Sequence, residues 1–473
     1  EDSLIENIED IPRKLANDKT PRHRCCEFKE RAIIRDRIKM ALGFDAAKHP
    51  ETGLSELAGR LNEVKTNQNI VKVLDRACDS CPIDKYMVTD ACRNCVAHKC
   101  VNACPKDAIV IIQNKAFIDQ NKCIECGRCA DVCPYNAINE NNRPCVRACA
   151  LDAISSDENR RAEIEKENCV NCGSCIIACP FGAIDYLSYV VQVVKSLKNK
   201  NKKTAALLAP SFTGQFGVRV DAEIVKKALK IIGFDEVIEV AYGADIVIKE
   251  EAREFIEKME EGNEVMTTSC CPGFTELIKT KYPKLKKYIS STTSPMIKTA
   301  DYIKDKDEDM ETIFIGPCIA KKSEAVEYNN IDYVLTFEEL VSIMVASGIN
   351  LENMDKGEKM EDASKLGRLF PSSGGVSGAV KSYLKNEDKN IDKYDFAVAK
   401  GLSECQQKLK DIESTSADFS FLEGMACEEG CVAGQGNLIK SVVAKKLAEN
   451  FAEKAKDKVP DSINKKNKKI TFN

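Results

Sequence analysis

A chain of 473 residues with 43% hydrophobic content can bury the cores of two to four domains. Its 70 basic and 74 acidic side chains are interspersed and leave a net charge of −4, which excludes a polycation built to coat nucleic acid or a membrane surface. The abnormal quantity is cysteine, 24 residues with 18 of them before residue 180, in a chain without tryptophan.

The chain opens EDSLIENIED, with no basic and then apolar leader, and its apolar runs fall far short of the ~20 residues that span a bilayer. A cytoplasmic protein without a membrane or nucleic-acid partner is expected. Residues 1–75 are highly charged and show helical periodicity over 30–44 and 54–74, which predicts a helical N-terminal segment. It carries the adjacent pair Cys25 and Cys26, which cannot easily ligate one cluster together.

Residues 76–194 hold the cysteine repeats. A disulfide scaffold needs an oxidising compartment that nothing here indicates, so clustered cysteines read as metal ligands. Cys123, Cys126, Cys129 and Cys133 form C-x2-C-x2-C-x3-C followed by Pro, and Cys169, Cys172, Cys175 and Cys179 repeat it. Three cysteines at this spacing wrap one [4Fe–4S] cube while the fourth reaches a neighbouring cube. A zinc ribbon uses separated pairs instead. Cys92, Cys95, Cys100 and Cys104 form a widened version, and Cys145 and Cys149 keep only its last two members, with Cys78 and Cys81 as candidates for the missing pair. An Ala-Ile pair follows each unit, at 108–109, 137–138, 153–154 and 183–184. Four half-units then make two bacterial-ferredoxin-like α+β modules in tandem. Their 16 thiolates suffice for four cubes. The expected sets are Cys92, Cys95 and Cys100 with Cys133; Cys123, Cys126 and Cys129 with Cys104; Cys169, Cys172 and Cys175 with Cys149; and Cys78, Cys81 and Cys145 with Cys179. His98 lies inside the widened motif, but the thiolate count closes without it.

Five lysines without an acid in KSLKNKNKK (195–203) read as a solvated linker at a domain boundary. Beyond it, TAALLAP (204–210), VIEVAYG (237–243), EVMTTSC (264–270), TIFIGPC (312–318), DYVLTF (332–337) and DFAVAKG (395–401) alternate with helical patterns. That alternation predicts an α/β domain with mainly parallel sheets over 204–450, its functional residues at strand ends. The tail 451–473, with seven lysines against three acids, is expected to be a frayed, solvated end.

The remaining cysteines fall mainly in TTSCCPGF (267–274), GPCIAKKSE (316–324) and EGMACEEGCVAGQG (423–436), which suggests four ligands converging from three loops plus a spare thiol. These motifs resemble the three signatures of the [FeFe]-hydrogenases, and with its fused ferredoxin-like modules the chain is similar to the divergent group B enzymes of anaerobes. The resemblance implies reversible H2 oxidation and proton reduction at an H-cluster, a [4Fe–4S] cube joined to a diiron subsite carrying CO, cyanide and a bridging dithiolate. It implies Cys271, Cys318, Cys427 and Cys431 as ligands of the cubane half, with Cys431 bridging to the diiron half. Cys270 matches the proton-relaying thiol, Lys321 the donor to one cyanide, Pro210 and Ser211 the pair at the other, and Met425 the methionine beside the diiron subsite. Glu251, Ser290 and Glu254 match the rest of the proton relay. Phe274 stands where the best-studied members have Trp, Gly316 where they have Met, and Glu428-Glu429-Gly430 where they have a Gly-Gly step. Electrons are expected to pass singly through about four additional cubes to a ferredoxin-like carrier, and maturation proteins are expected to install the diiron subsite. No G-x-G-x-x-G fingerprint follows a strand, so direct NAD reduction is not expected. A non-catalytic iron–sulfur assembly protein is the competing reading, and such a protein has no need of a proton relay. Cys405 matches no motif and is expected to be packing.

Overall fold

The computed structural model describes residues 2–455 except 18, 20–22, 65–68, 80, 82–83, 160, 361–362 and 388–390. In the cysteine-rich half the strands are β1 (Val71–Val73), β2 (Tyr86–Val88), β3 (Ile109–Ile112), β4 (Lys115–Ile118), β5 (Ile138–Glu140), β6 (Ile154–Ser156), β7 (Ala162–Ile164) and β8 (Ile184–Tyr186). They pair antiparallel, β1 with β8, β2 with β5, β3 with β4 and β6 with β7. Each module therefore has one outer strand pair and one inner hairpin. The modules are nested, however, and not in tandem. The one built from β2 to β5 is inserted into the other, which is built from β1, β6, β7 and β8. Cys145 and Cys149 look truncated in sequence because residues 82–144 separate them from Cys78 and Cys81 of the same motif. The inserted module has an apolar core of its own, with Tyr86, Ile109, Ala116, Ile118 and Ile138. Its two chain passages meet where the Asn141 N–H donates to the Lys85 carbonyl at 2.6 Å.

The expected N-terminal helix is Glu27–Ala41. The second helical stretch is shorter than its periodicity suggests: Leu54–Gly59 and the turn Leu61–Glu63 stop well before β1, whose backbone is taken by β8. The lysine-rich stretch is also corrected, since the helix Val190–Lys198 runs through its first four residues. Val190, Val193, Val194 and Leu197 form an apolar stripe against the core of the C-terminal half, and the lysines occupy the other face. Phe451 belongs to the helix Ser441–Ala452 and its ring meets Phe212 at 5.5 Å and the Arg368 guanidinium at 3.9 Å, so the solvated tail cannot begin there. Residues 456–473 lie outside the described part.

The C-terminal half contains β9 (Thr204–Leu208), β10 (Glu236–Glu239), β11 (Met266–Thr267), β12 (Glu311–Gly316), β13 (Tyr333–Thr336), β14 (Phe396–Lys400) and β15 (Phe421–Met425). They form two sheets, ordered β10-β9-β12-β13 and β11-β15-β14, in which every neighbouring pair is parallel. Strands such as TAALL are buried throughout because helices cover both faces, which is why they read as unbroken apolar runs. All six runs picked out in the sequence contain a strand, although VIEVAYG is strand only to Glu239 and Val240 begins the helix Val240–Glu260.

The strand missed was β15, the centre of the second sheet. FLEGM puts a carboxylate and a glycine in a buried strand, and contacts distant in sequence explain both. Glu423 accepts the Gly374 and Ser377 N–H groups at 2.8 and 2.7 Å, capping the helix Gly375–Asn386. The Phe274 ring occupies the space that a Cβ on Gly424 would need.

The two halves are joined by Tyr186 at the end of β8, whose hydroxyl lies 3.0 Å from Thr336 Oγ1. The buried Lys322 ammonium sits 5.2 Å from the Tyr186 ring and pairs with Glu339 at 2.9 Å. Removing one partner of a buried pair of this kind costs about 3–5 kcal/mol. Among the described residues no helix is long and apolar enough to cross a membrane.

Candidate active site

Strands that all point one way deliver their C-terminal ends to one place. Pro210 and Ser211 follow β9, Cys270 and Cys271 follow β11, and Cys318 follows β12, while Met425 ends β15 and Cys427 and Cys431 lie just beyond it. With Lys321 they line a single cavity of about 90 Å³. The rest of its wall is largely apolar or backbone, including Met296, Phe314, Phe370 and Pro371. The Cys427–Cys431 loop lies flat against Pro371–Ser373 because Gly430 has φ 82 and a Cβ there would meet the Pro371 carbonyl oxygen at 2.6 Å. Glu428 and Glu429 turn outward to solvent, and neither lines the cavity.

Cys271, Cys318, Cys427 and Cys431 stand in one another's electric field. Burial pushes every one of them up, with neighbouring thiols adding at Cys318, Cys427 and Cys431, the last reaching about 12. Four thiolates in such a place need a cationic core between them. Among the described residues no three ligand-type side chains are close enough to share a single ion. Thiolates at the corners of a cube stand farther apart, because iron and sulfide lie between them.

Lys321 is buried in the helix Ala320–Glu327, and its ammonium donates to the Cys270 carbonyl at 3.2 Å and pairs with Glu324 at 2.5 Å. Burial opposes its charge, but Glu324, with Cys318 and Cys270 adding, outweighs burial and holds the ammonium above the usual lysine value. In the lining of the same cavity, Ser211 Oγ is buried without a hydrogen-bond partner among the described residues. An ammonium and an orphaned hydroxyl facing an apolar space beside four thiols suit a cluster that presents anionic cyanide to the polar groups and CO to the walls. The donor set therefore fits an H-cluster. Glu324 was overlooked in sequence; its i,i+3 spacing from Lys321 on a helix was the available signal.

On the proton side, Glu251 is wholly buried, with Oε1 3.5 Å from the Ser269 N–H and Oε2 without a partner among the described residues. Burial, with Glu254 and Glu423 adding, raises it from 4.5 to about 8. Ser290 Oγ donates to Glu254 at 2.6 Å, and the Ser291 N–H and the Lys258 ammonium bond the other oxygen at 2.8 and 3.0 Å. Burial opposes the Glu254 charge, yet these donors keep its carboxyl below the ordinary range. Ser290 lines a second, polar cavity of about 430 Å³ together with Thr292, Ser294 and Glu324. No direct hydrogen bond joins Cys270 to Glu251, or Glu251 to Ser290, among the described residues. Lys258, four residues after Glu254, is a further group the sequence reading did not pick out.

The raised Glu251 value has a pH consequence. The folded state keeps a proton that the unfolded chain has lost, so stability falls as pH rises from about 4.5 to about 8. Glu251→Gln removes that loss. The variant's melting temperature should match wild type at pH 5 and exceed it at pH 9 by at least ~2 °C in anaerobic calorimetry. An equal difference at both pH values would mean that Glu251 is not protonated in the fold.

The module cysteines follow one local rule. In all four half-units the residue three places after the last cysteine, Asp107, Asn136, Asp152 or Gly182, has φ between 48 and 56. That left-handed step, tolerated by Asp, Asn and Gly, turns the next amide back, and the Ala N–H donates to the cysteine sulfur at 3.3 Å each time. The structure brings Cys145 near Cys78, Cys81 and Cys179, and Cys100 near Cys95 and Cys133. Cys104, Cys123, Cys126 and Cys129 line one small cavity, and Cys149, Cys169, Cys172 and Cys175 line another. Cys92 packs in the inserted module, where the Ala116 N–H reaches its sulfur at 3.5 Å. The His98 ring nitrogen lies 3.3 Å from Asn94 Oδ1. Cys405 is buried behind β14 and β15, its thiol 3.8 and 3.7 Å from the Ala399 and Met425 carbonyls. Cys25 and Cys26 lie at the start of the helix Glu27–Ala41, sulfurs 3.8 Å apart.

Three family profiles match: "Iron only hydrogenase large subunit, C-terminal domain" over residues 202–435, "4Fe-4S binding domain" over 116–139 and "LdpA Fe-S cluster-binding domain" over 140–190. The chain is 32% identical to the periplasmic [Fe] hydrogenase large subunit of Nitratidesulfovibrio vulgaris over 373 residues, 67% of this chain and 85% of that one. It is 30% identical to iron hydrogenase 1 of Clostridium pasteurianum over 394 residues, 70% and 67% of the two chains. A cytosolic Fe-S cluster assembly factor, narfl of Xenopus tropicalis, is 24% identical over 265 residues, 44% and 55%. A solved HydA1 structure from Chlamydomonas reinhardtii, at 23% identity, aligns with a TM-score of 0.48 over 56% of this chain and 88% of that chain.

Proposed function

Because the chain belongs to the iron-only hydrogenase family, we propose that it catalyses reversible H2 oxidation and proton reduction and passes electrons singly through its cubes to a ferredoxin-like carrier. The observation that carries this reading is the single cavity shared by Cys270, Cys271, Cys318, Cys427, Cys431, Lys321, Ser211 and Met425. When bound, the H-cluster would supply the redox chemistry that interconverts H2 with two protons and two electrons. Cys271, Cys318, Cys427 and Cys431 would hold its cubane half, Lys321 and Ser211 would orient its cyanide ligands, and the apolar walls would exclude water. The Cys270 thiol is the chain's own proton carrier at the cavity. Glu251, kept protonated at neutral pH by burial, and the Ser290–Glu254 pair continue that route outward. Cys427 lies in the field of Cys172, which supports the cube of Cys149, Cys169, Cys172 and Cys175 as the first electron relay.

Likeness to the assembly factor favours a second reading, a protein that holds cubes without a diiron subsite. The buried Cys270 thiol and Lys321 ammonium facing the cavity support the first. Maturation proteins belong to the proposal, as does a cytoplasmic location, which cell fractionation tests against the periplasmic relative. After maturation the protein should show infrared bands of iron-bound CO and cyanide and evolve H2 from a reduced dye. A fully cubed protein that shows neither after exposure to the diiron cofactor would be the scaffold.

A further inference from the structure

Resting on the hydrogenase reading of the cavity, we propose that Phe314 fixes the clearance beside the diiron subsite. Ligands the size of H2 and CO are admitted, while an isocyanide, which binds through the same terminal carbon as CO but carries an alkyl group, is excluded. Gly316 is the niche that holds the Phe314 ring in this position.

Phe314 and Gly316 stand two residues apart on β12, so both point to the same face of the sheet. A Cβ on Gly316 would lie 2.6 Å from Cε1 and Cζ of the Phe314 ring and 3.0 Å from Ala209 Cβ. The ring therefore leans along the strand toward its C-terminal end and takes the place that a side chain at 316 would occupy. Phe314, Ala209 and Pro317 line the cavity, and Gly316 does not. The residue before the Pro-Cys turn thus contributes no wall, and the ring two residues upstream contributes it instead. Ala209 leads directly into Pro210 and Ser211 of the same lining, so the ring edge borders the stretch that would meet a cyanide of the diiron subsite.

Of the two aromatic rings in the described lining, Phe314 is carried by a strand paired on both sides, opposite Leu207 of β9 and Val334 of β13. Phe370 instead follows the short helix Lys365–Leu369. Met296 and Met425 also line the space, but an unbranched thioether adapts its shape to what it meets. Phe314 is therefore the wall element that does not yield. Its side chain is 3% exposed and packed in the larger core of this half, so the free space beside it is the cavity itself. Any side chain at 316 drives the ring into that space, which is why the two positions act as one unit.

The first test titrates the matured protein with CO and with ethyl isocyanide and reads binding from the infrared bands of the iron-bound CO and cyanide. Phe314→Ala should bind ethyl isocyanide at least ~10-fold more tightly than wild type and change the Kd for CO by less than ~3-fold. Equal isocyanide affinity in the two proteins, or an equal change for both ligands, overturns the size limit. If Phe314→Ala does not fold, as judged by iron content and melting curve, Phe314→Leu decides by the same criterion. The second test uses protein with filled cubes and no diiron subsite, and measures xenon occupancy of the cavity in pressurised crystals. Gly316→Ala should lower the occupancy at least ~5-fold, and Phe314→Ala/Gly316→Ala should restore it, because the displaced ring is then gone. Wild-type occupancy in Gly316→Ala, or no recovery in the double variant, overturns the niche. Should matured wild-type protein show no CO or cyanide bands, the hydrogenase reading fails alone, and the xenon comparison still decides whether Phe314 and Gly316 form this wall.

Discussion

Cys270→Ala should leave the iron content and CO bands in place and cut H2 turnover at least ~100-fold, since positioned acid–base groups contribute about 10²- to 10⁴-fold. The thiol is buried in the cavity wall beside Cys271, one residue from the Ser269 amide that meets Glu251. Burial first, with Glu251 adding, pushes it well above the ordinary thiol value, so it rests protonated. Ala removes the only side chain at this position that can carry a proton. Ser would do no better, because its hydroxyl is too weak an acid, whereas Asp can both donate and accept and should restore part of the rate. Cys405→Ala is the control: that thiol faces two carbonyls behind the sheet and its loss should leave turnover near wild type. A Cys270→Ala enzyme working at full rate with the cofactor verified would remove Glu251, Ser290 and Glu254 from the mechanism along with it.

Lys321→Ala should produce a protein that fills its cubes but fails to retain the diiron subsite, with CO and cyanide infrared bands at least ~10-fold weaker. A charge-assisted hydrogen bond to a buried acceptor is worth roughly 1.5–3 kcal/mol, which is a factor of about ten or more in retention. The change also strands Glu324, whose carboxylate pairs with Lys321 at 2.5 Å and has the 430 Å³ polar cavity on its other side. The double variant Lys321→Ala/Glu324→Gln separates the two effects. If the stranded charge were the cause, the double variant would regain the bands; if the lost ammonium is the cause, it stays empty. Full-strength bands and full turnover in Lys321→Ala would return that lysine to the role of a structural ion pair.

What could be read without the structure was what depends on short spans of chain. The C-x2-C-x2-C-x3-C spacing needs only one turn and one loop to bring sulfurs around a cube, so Cys123 to Cys133 and Cys169 to Cys179 declared their chemistry directly. The alternation of apolar runs with helical patterns likewise declared parallel α/β layers, because a strand covered on both faces must be apolar throughout. The tertiary structure decided what depends on register between distant segments. Pairing of β1 with β8 made the modules nested, and no local signal marks residues 82–142 as an insertion. The strand β15 was hidden because the partners that make Glu423 and Gly424 acceptable, Gly374, Ser377 and Phe274, lie far away in the chain. The same holds for Glu251: an i,i+3 pair of glutamates in a charged helix reads as surface, and only burial against the Ser269 turn raises one of them to about 8 while Ser290, Ser291 and Lys258 hold the other down. Spacing along the chain encodes which atoms can bind a cluster. Desolvation and long-range pairing, which arise only once the sheets are packed, decide which of two neighbouring carboxyls keeps its proton.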